Sequence, residues 1–235
     1  MEFIREAGPE SGEILTHYEE TLDLLRQVAA GQRGATLRIY QPNSTMAFGR
    51  RDELNPGFAN AVQACRDHGY ESLVRKVGGR AAAYHSGCLV IDHFQPAADA
   101  KTGNTLRYQL FGQLFADALQ DVGVDAHVGE IPGEYCPGEY SVHARLGGDR
   151  AGERIKLVGT AQRVVSGAWW FSTGIVVSES APLRELTRDV YAALGLPLDA
   201  STVGAANDAN PELLMEDLED AILEQYARHG FKVDN

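Results

Sequence analysis

A cysteine beside a tight turn is the residue of this sequence best placed to act as a nucleophile. Cys136 stands in the segment EYCPGEYSV, directly before Pro137 and Gly138, a pair typical of turns. It is expected to be more accessible than Cys88, which lies in the apolar run GCLVID. To attack a carbonyl, Cys136 must be a thiolate, a form that nearby cations or amide dipoles favour. The alternative is an unreactive residue of the turn.

A lysine inside a predicted strand is the second candidate. The chain has only four lysines, and Lys156 lies in the segment IKLVGTAQR among apolar residues. An ammonium group on a flexible stem suits a carbonyl or carboxylate ligand. Gly159 is typical of a bulge or of a close approach to the backbone. The alternative is a lysine on the solvent face of the sheet, because strand alternation puts it opposite Ile155 and Leu157.

A third segment, RKVGGRAAAYH, combines two glycines with basic residues. Gly78 and Gly79 allow close approach of a ligand, and exposed N–H groups there bind phosphate or carboxylate. Arg75 and Arg80 would add charge-assisted hydrogen bonds. The segment matches neither a P-loop nor a dinucleotide fingerprint. His85 could orient or activate a nucleophile. The alternative is a plain hairpin turn.

The spacing of apolar residues predicts the elements that must position these groups. Helices are predicted over residues 14–30, 56–68, 102–122, 182–194 and 211–229. Strands are predicted over residues 37–40, 45–49, 72–77, 88–94, 126–128, 140–144, 155–165 and 168–177. This order indicates an α+β fold with a mixed, largely antiparallel sheet flanked by helices. We expect a catalytic domain over residues 1–178 and a C-terminal helical extension, residues 179–235, packed on it.

Composition and charge argue against several classes of protein. The 235 residues carry a net charge of −12, which is unfavourable for nucleic-acid binding because phosphate contacts need an electropositive surface. Three cysteines without a CxxC pair predict neither a disulfide framework nor a metal site. We find no signal-peptide core and no run of about 18 apolar residues. These features predict a cytoplasmic protein without nucleic-acid or membrane partners.

In their order along the chain, these segments resemble the biotin/lipoate protein ligase superfamily. RKVGGRAAAYH is similar to its glycine-rich segment, allowing a one-residue extension, and KLVGTAQ is similar to its lysine segment. The resemblance covers about residues 37–177 and implies a biotin/lipoyl protein ligase-like fold with an acyl pocket. The residues implied to bind the acyl substrate are Arg75, Gly78, Gly79, Arg80, Ala81, His85, Gly159 and Ala161. An apolar tunnel is expected from Val77, Ala82, Ala83, Leu89, Val158 and Trp170.

Within that superfamily, YCPGEYSV resembles the segment in which octanoyl- and lipoyl-amidotransferases hold the acyl group as a cysteine thioester. The resemblance implies that Cys136 accepts the acyl group and that Lys156 contacts its carbonyl and stabilises the oxyanion. The implied reaction moves an octanoyl or lipoyl group onto a lysine of a lipoyl carrier domain, without ATP or a metal ion. The implied partners are the glycine cleavage H protein and 2-oxoacid dehydrogenase subunits. A polar insert, RLGGDRAGER, separates the two residues and departs from the family pattern.

Two alternatives stay open. An ATP-dependent lipoate–protein ligase would form lipoyl-adenylate in the same pocket, with Mg²⁺ and no cysteine. Many such ligases carry an accessory domain, whereas the residues after Val177 predict two helices. A non-catalytic binder of lipoyl or octanoyl carriers would keep the pocket and lose turnover. Docking of an acidic carrier would need a positive rim, expected from Arg50, Arg51, Arg75, Arg80 and Arg163.

Overall fold

Two sheets and their covering helices make up residues 1–234, the part of the chain that the computed structural model describes. The strands are β1 (Glu2–Glu6), β2 (Thr36–Tyr40), β3 (Thr45–Phe48), β4 (Glu71–Val74), β5 (Ala82–Tyr84), β6 (Cys88–Ala97), β7 (Ala126–Val128), β8 (Val142–Arg145), β9 (Arg154–Val165) and β10 (Gly167–Val176). The helices are α1 (Ile14–Ala29), α2 (Arg50–Glu53), α3 (Phe58–Asp67), α4 (Asn104–Asp121), α5 (Ser180–Leu194), α6 (Ala206–Ala209) and α7 (Met215–Arg228). The last residue of the predicted extension, Asn235, lies outside the described residues.

The large sheet has seven strands in the order β1-β2-β6-β10-β9-β8-β7, and only its edge pair β1–β2 is parallel. The small sheet has the order β4-β3-β5, with β3 parallel to β4 and antiparallel to β5. Helices cover both sheets, so the predicted α+β fold with a mixed, largely antiparallel sheet is confirmed.

Both faces of the large sheet are covered, and this explains its nearly continuous apolar strands. On one face, α4 and α7 pack over residues such as Leu37 and Ile39. On the other face, α1 packs over Phe94 and Trp170. Helix α5 packs on α3 and β5 in a separate cluster beside the small sheet. The C-terminal helices therefore bury apolar surface against both sheets.

The pairing of β9 with β10 fixes which residues share a face near their middle. Gly174 lies opposite Gly159, and Ser172 lies opposite Ala161. At these four positions the side chains of the two strands are small or absent. The register between β8 and β9 shifts at residues 156–158, two residues before the glycine where the sequence suggested a bulge.

Several elements were not predicted from the sequence. Strand β1 has the charged sequence EFIRE and is held at the sheet edge by parallel pairing with β2. Strand β5 and helices α2 and α6 have only three or four residues each, too few for a periodic pattern. Among residues 1–234, no helix combines the length and the apolar character that crossing a membrane requires.

Candidate active site

A cavity of about 370 Å³ lies among α1, the two sheets and the loops that follow β4 and precede β8. Its volume falls in the range of about 300–1,000 Å³ that is typical of small-molecule sites. Small and aromatic residues dominate its lining, with a few charged groups. The two loops that meet over it are named here the glycine loop, residues 75–81, and the cysteine loop, residues 134–138.

Most of the residues predicted to form the site line this cavity. The structure brings together Cys136, Lys156, Arg75, Gly78, Gly79, Gly159 and Ala161. Of the residues proposed for an apolar tunnel, Val77, Ala82 and Trp170 also line it. Cys136 and Lys156, the two residues singled out in the sequence, therefore line one cavity.

Other predicted tunnel residues point away from the cavity, and strand alternation is the reason. Ala82 and Tyr84 on β5 line the cavity, whereas Ala83 between them is buried on the other face of the strand. For the same reason Val90 lines the cavity, whereas Leu89 lies in the core beneath the large sheet. Val158, which is buried in that same core, does not line it either.

Arg80, Ala81 and His85, which were also predicted to bind the substrate, do not line the cavity. The ring of His85 accepts a hydrogen bond from Gly87 N at 2.8 Å and donates to Glu179 O at 3.0 Å, so neither nitrogen is free to act on Cys136. Arg80 pairs with Asp52 at 3.0 Å, and Ala81 is fully buried.

Cys136 adopts a backbone conformation that is rare for residues other than glycine. Its φ of +43° lies in the left-handed region. Its sulfur accepts a hydrogen bond from Arg80 N at 3.1 Å and lies 3.6 Å from Arg75 Nη2. A Cβ at Gly79 would lie 2.8 Å from this sulfur and 2.5 Å from Arg75 Nη2, so only glycine permits this approach.

Tyr191 joins the cysteine loop to the glycine loop. Its hydroxyl accepts a hydrogen bond from Cys136 N at 2.6 Å and donates one to Ala81 O at 3.0 Å. Burial raises its pKa, so the phenol keeps the proton that it donates. Sequence reasoning missed this residue because it occupies an ordinary apolar position of α5, beside Val190 and Leu194.

Lys156 is bound to the backbone of the cysteine loop. Its Nζ lies 3.0 Å from Glu134 Oε1, 2.9 Å from Tyr135 O and 2.8 Å from Cys136 O. Only 1% of the residue is exposed, so the alternative of a solvent-facing lysine is wrong. All three N–H donors of the Lys156 ammonium group already have acceptors. Contact with an acyl carbonyl would require one of these hydrogen bonds to break.

Glu134, also missed from the sequence, organises the same loop. It is 3% exposed. Besides the lysine, it accepts hydrogen bonds from Ser141 Oγ at 2.7 Å and from Gly138 N and Ile131 N at 3.2 Å each. A buried carboxylate with this many partners fixes the turn that carries the cysteine.

The predicted rim of five arginines is not formed. Arg50 pairs with Glu53 and Arg80 with Asp52. Arg163 donates to Lys76 O at 2.6 Å and thereby helps to anchor the glycine loop, as does the hydroxyl of Tyr18, which accepts a hydrogen bond from Lys76 N. Arg75 points to the sulfur. Arg51 is exposed and lines the cavity, and no ion pair is seen for it within residues 1–234.

The sequence of this chain is similar to one protein family and to several known proteins. The model of the family described as "Lipoyl protein ligase A/B catalytic domain" matches residues 16–226. The octanoyl-[GcvH]:protein N-octanoyltransferase of Geobacillus kaustophilus is 33% identical over 173 residues, which is 72% of this chain and 57% of that protein. The lipoyl-[GcvH]:protein N-lipoyltransferase of Listeria monocytogenes is 26% identical over 192 residues, or 81% of this chain and 66% of that protein.

A solved structure extends the likeness to the fold. Lipoate-protein ligase A bound with ATP superposes with a TM-score of 0.72 and 18% identity, covering 99% of this chain and 87% of that one. At this identity the comparison bears on the fold alone. The match with the Geobacillus protein, in turn, spans a little more than half of that protein's length.

Proposed function

This chain belongs to the lipoyl protein ligase A/B catalytic domain family, and on that premise we propose that it transfers an octanoyl or lipoyl group through a thioester on Cys136. The acceptor in this proposal is a lysine of a lipoyl carrier domain. The observation that carries it is the sulfur of Cys136, which lies on the wall of the cavity with an N–H group at 3.1 Å and a guanidinium at 3.6 Å. The names of the two GcvH-dependent transferases support this choice of reaction.

In the first half of the proposed reaction, the thiolate of Cys136 attacks the carbonyl carbon of an octanoyl amide on a donor carrier such as GcvH. A C–S bond forms, the C–N bond breaks, and the proton of the thiol ends on the leaving lysine amine. In the second half, a lysine amine of the acceptor attacks the thioester. The C–N bond forms, the C–S bond breaks, and a proton of that amine returns to the thiol.

The cavity suits the acyl chain of this proposal. Gly159 and Ala161 leave space above the sheet for an unbranched chain, the ring of Tyr84 lies over Gly174 beside that space, and Val77 and Trp170 add apolar contact. The acyl chain would lie beneath Gly78 and Gly79. Burial of apolar methylene groups here would contribute roughly 0.8 kcal/mol for each group.

The proposal includes acceptors among 2-oxoacid dehydrogenase subunits and a route that needs neither ATP nor Mg²⁺. It also includes a cytoplasmic location, which the three free cysteines support because reduced thiols are typical of that compartment. In this view residues 1–178 form the acyl-binding domain, and residues 179–235 pack on it and supply Tyr191.

Intact-mass spectrometry tests the proposal directly. The protein is incubated with octanoyl-GcvH without ATP, and the expected result is a gain of one octanoyl group that hydroxylamine removes. Cys136→Ala should abolish the adduct, whereas Cys65→Ala, a change at a fully buried cysteine, should keep it.

An ATP-dependent ligase would give a different result. It would acylate the carrier only with free octanoate or lipoate, ATP and Mg²⁺, and Cys136→Ala would keep that activity. A carrier-binding protein without turnover would bind octanoyl-GcvH and never gain the mass. Either outcome contradicts the thioester proposal.

A further inference from the structure

Two ion pairs lie near the sulfur of Cys136, and one nearby cation takes part in neither of them. Glu134 and Lys156 form a buried ion pair, and Asp52 pairs with Arg80. Arg75 has no carboxylate partner within the described residues, and its ionisable neighbours are the sulfur, at 3.6 Å, and the phenols of Tyr84 and Tyr18. An unpaired cation thus lies at the nucleophile.

The other titratable groups that face the sulfur are tyrosines from several elements. They are Tyr84 on β5, Tyr108 on α4, Tyr135 in the cysteine loop and Tyr191 on α5. Burial raises the pKa of each of these phenols, so they carry no charge near neutral pH. Burial acts to lower the pKa of Arg75, but Cys136, Tyr84 and Tyr18 together outweigh it and raise that pKa, which keeps the guanidinium charged.

The guanidinium also has an unused donor. Arg75 Nη2 donates to Arg80 O at 2.7 Å and to the sulfur, whereas Nε is buried without a partner. A buried N–H without an acceptor costs about 1–3 kcal/mol, so this donor is available to an acceptor that enters the cavity. Lys156, by contrast, already has an acceptor for each of its three donors.

We propose that Arg75 is a catalytic residue, whose guanidinium stabilises first the thiolate of Cys136 and then the oxyanion that forms on the acyl carbonyl. This inference rests on the proposed transfer reaction. When the C–S bond forms, the π pair of the carbonyl moves onto its oxygen, which lies beside the sulfur and therefore beside the donors of Arg75 and the N–H of Arg80. Lys156 acts as a positioning residue, since it holds the loop whose sulfur reacts.

Two substitutions separate the charge of Arg75 from its shape. Arg75→Gln removes the charge, so the pH profile for alkylation of Cys136 by iodoacetamide should move to higher pH. Formation of the thioester from octanoyl-GcvH should slow by about 10²-fold. Arg75→Lys keeps the charge but loses the planar fork, so its alkylation midpoint should stay near that of the wild type while thioester formation slows.

The exposed Arg188 on α5 provides a control, because Arg188→Gln removes a cation remote from the cavity and should change neither readout. Circular dichroism checks that each variant is folded. A wild-type alkylation midpoint and a wild-type rate of thioester formation in Arg75→Gln would overturn the inference. Absence of a thioester in the wild-type protein would overturn the proposed transfer reaction, whereas the alkylation profile, which needs no acyl donor, would still report the effect of Arg75 on the thiol.

Discussion

The ammonium group of Lys156 lies 2.8 Å from the carbonyl oxygen of Cys136, so the two residues meet through the backbone of the cysteine loop. This contact, with those to Glu134 and Tyr135, makes the lysine part of the support for a cysteine at positive φ. A residue held at positive φ costs of order 1–3 kcal/mol and persists only where its surroundings fix it. The ion pair and the hydroxyl of Tyr191 provide that constraint.

Loss of Lys156 should destabilise the protein. Lys156→Met would leave the carboxylate of Glu134 buried without its cation, at a cost of about 3–5 kcal/mol in the free energy of unfolding. Urea denaturation measures this cost. The double variant with Glu134→Gln removes both charges and should recover part of the loss. A single variant as stable as the wild type would contradict the role of the pair.

Tyr191→Phe should weaken the junction of the two loops while leaving the packing of α5 intact. The change removes one partner each from Cys136 N and Ala81 O, and we expect a loss of about 1–3 kcal/mol in stability and slower thioester formation. Tyr226→Phe, on the opposite side of the large sheet, is the matched control for thioester formation. Equal rates in the two variants would argue against a positioning role for Tyr191.

The two facing glycines of the sheet should respond differently to an added methyl group. A Cβ at Gly174 would overlap the ring of Tyr84, whereas the nearest atom to one at Gly159 is Lys156 Cε at 3.9 Å. Gly174→Ala should therefore lower stability by about 1–3 kcal/mol, and Gly159→Ala should not. Both narrow the cavity and should raise KM for the octanoyl carrier. Thermal melting and steady-state kinetics measure the two effects, and equal melting temperatures would refute this difference.

Stability should fall with decreasing pH because of His93. Burial lowers the pKa of this fully buried histidine to about 4, against about 6.5 in an unfolded chain. Between these values the unfolded chain binds a proton that the folded protein does not. Above about pH 6.5 the histidine therefore does not lower the free energy of unfolding. As the pH falls to about 4, it lowers this free energy progressively, by an amount approaching about 3 kcal/mol.

The variant His93→Phe keeps an aromatic ring in the surrounding aromatic cluster and removes the titration. Unfolding by urea at pH 8 and pH 4.5 should show a smaller drop in stability for this variant than for the wild type. An identical pH dependence in the two proteins would rule out His93 as the source.

Local patterns in the sequence were enough to predict the main elements and two of the central groups. The Pro-Gly turn indicated an accessible Cys136, and the rarity of lysine drew attention to Lys156. Apolar periodicity predicted the long helices within a few residues. The parallel pairs β1–β2 and β3–β4 were not predictable in this way, because strand neighbours depend on contacts between distant parts of the chain.

The errors at the site have a physical cause. His85 follows the glycine loop closely in sequence, but alternation along β5 directs Tyr84 into the cavity and His85 toward Glu179. Tyr191 lies 55 positions from Cys136 in the chain and has no local mark of function, since a tyrosine at an apolar helix position usually packs in a core. Glu134 was likewise indistinguishable from a surface carboxylate.

The burial of Glu134 and Lys156 has a consequence for the effect of salt. Mobile ions screen exposed charges over about 8–10 Å in physiological buffers, but they screen a buried pair far less. Exposed cations such as Arg51 and Lys76, which border the cavity opening and the glycine loop, are fully subject to that screening. Rising ionic strength is thus expected to alter the encounter with a charged carrier, while the buried pair that holds the cysteine loop is little affected.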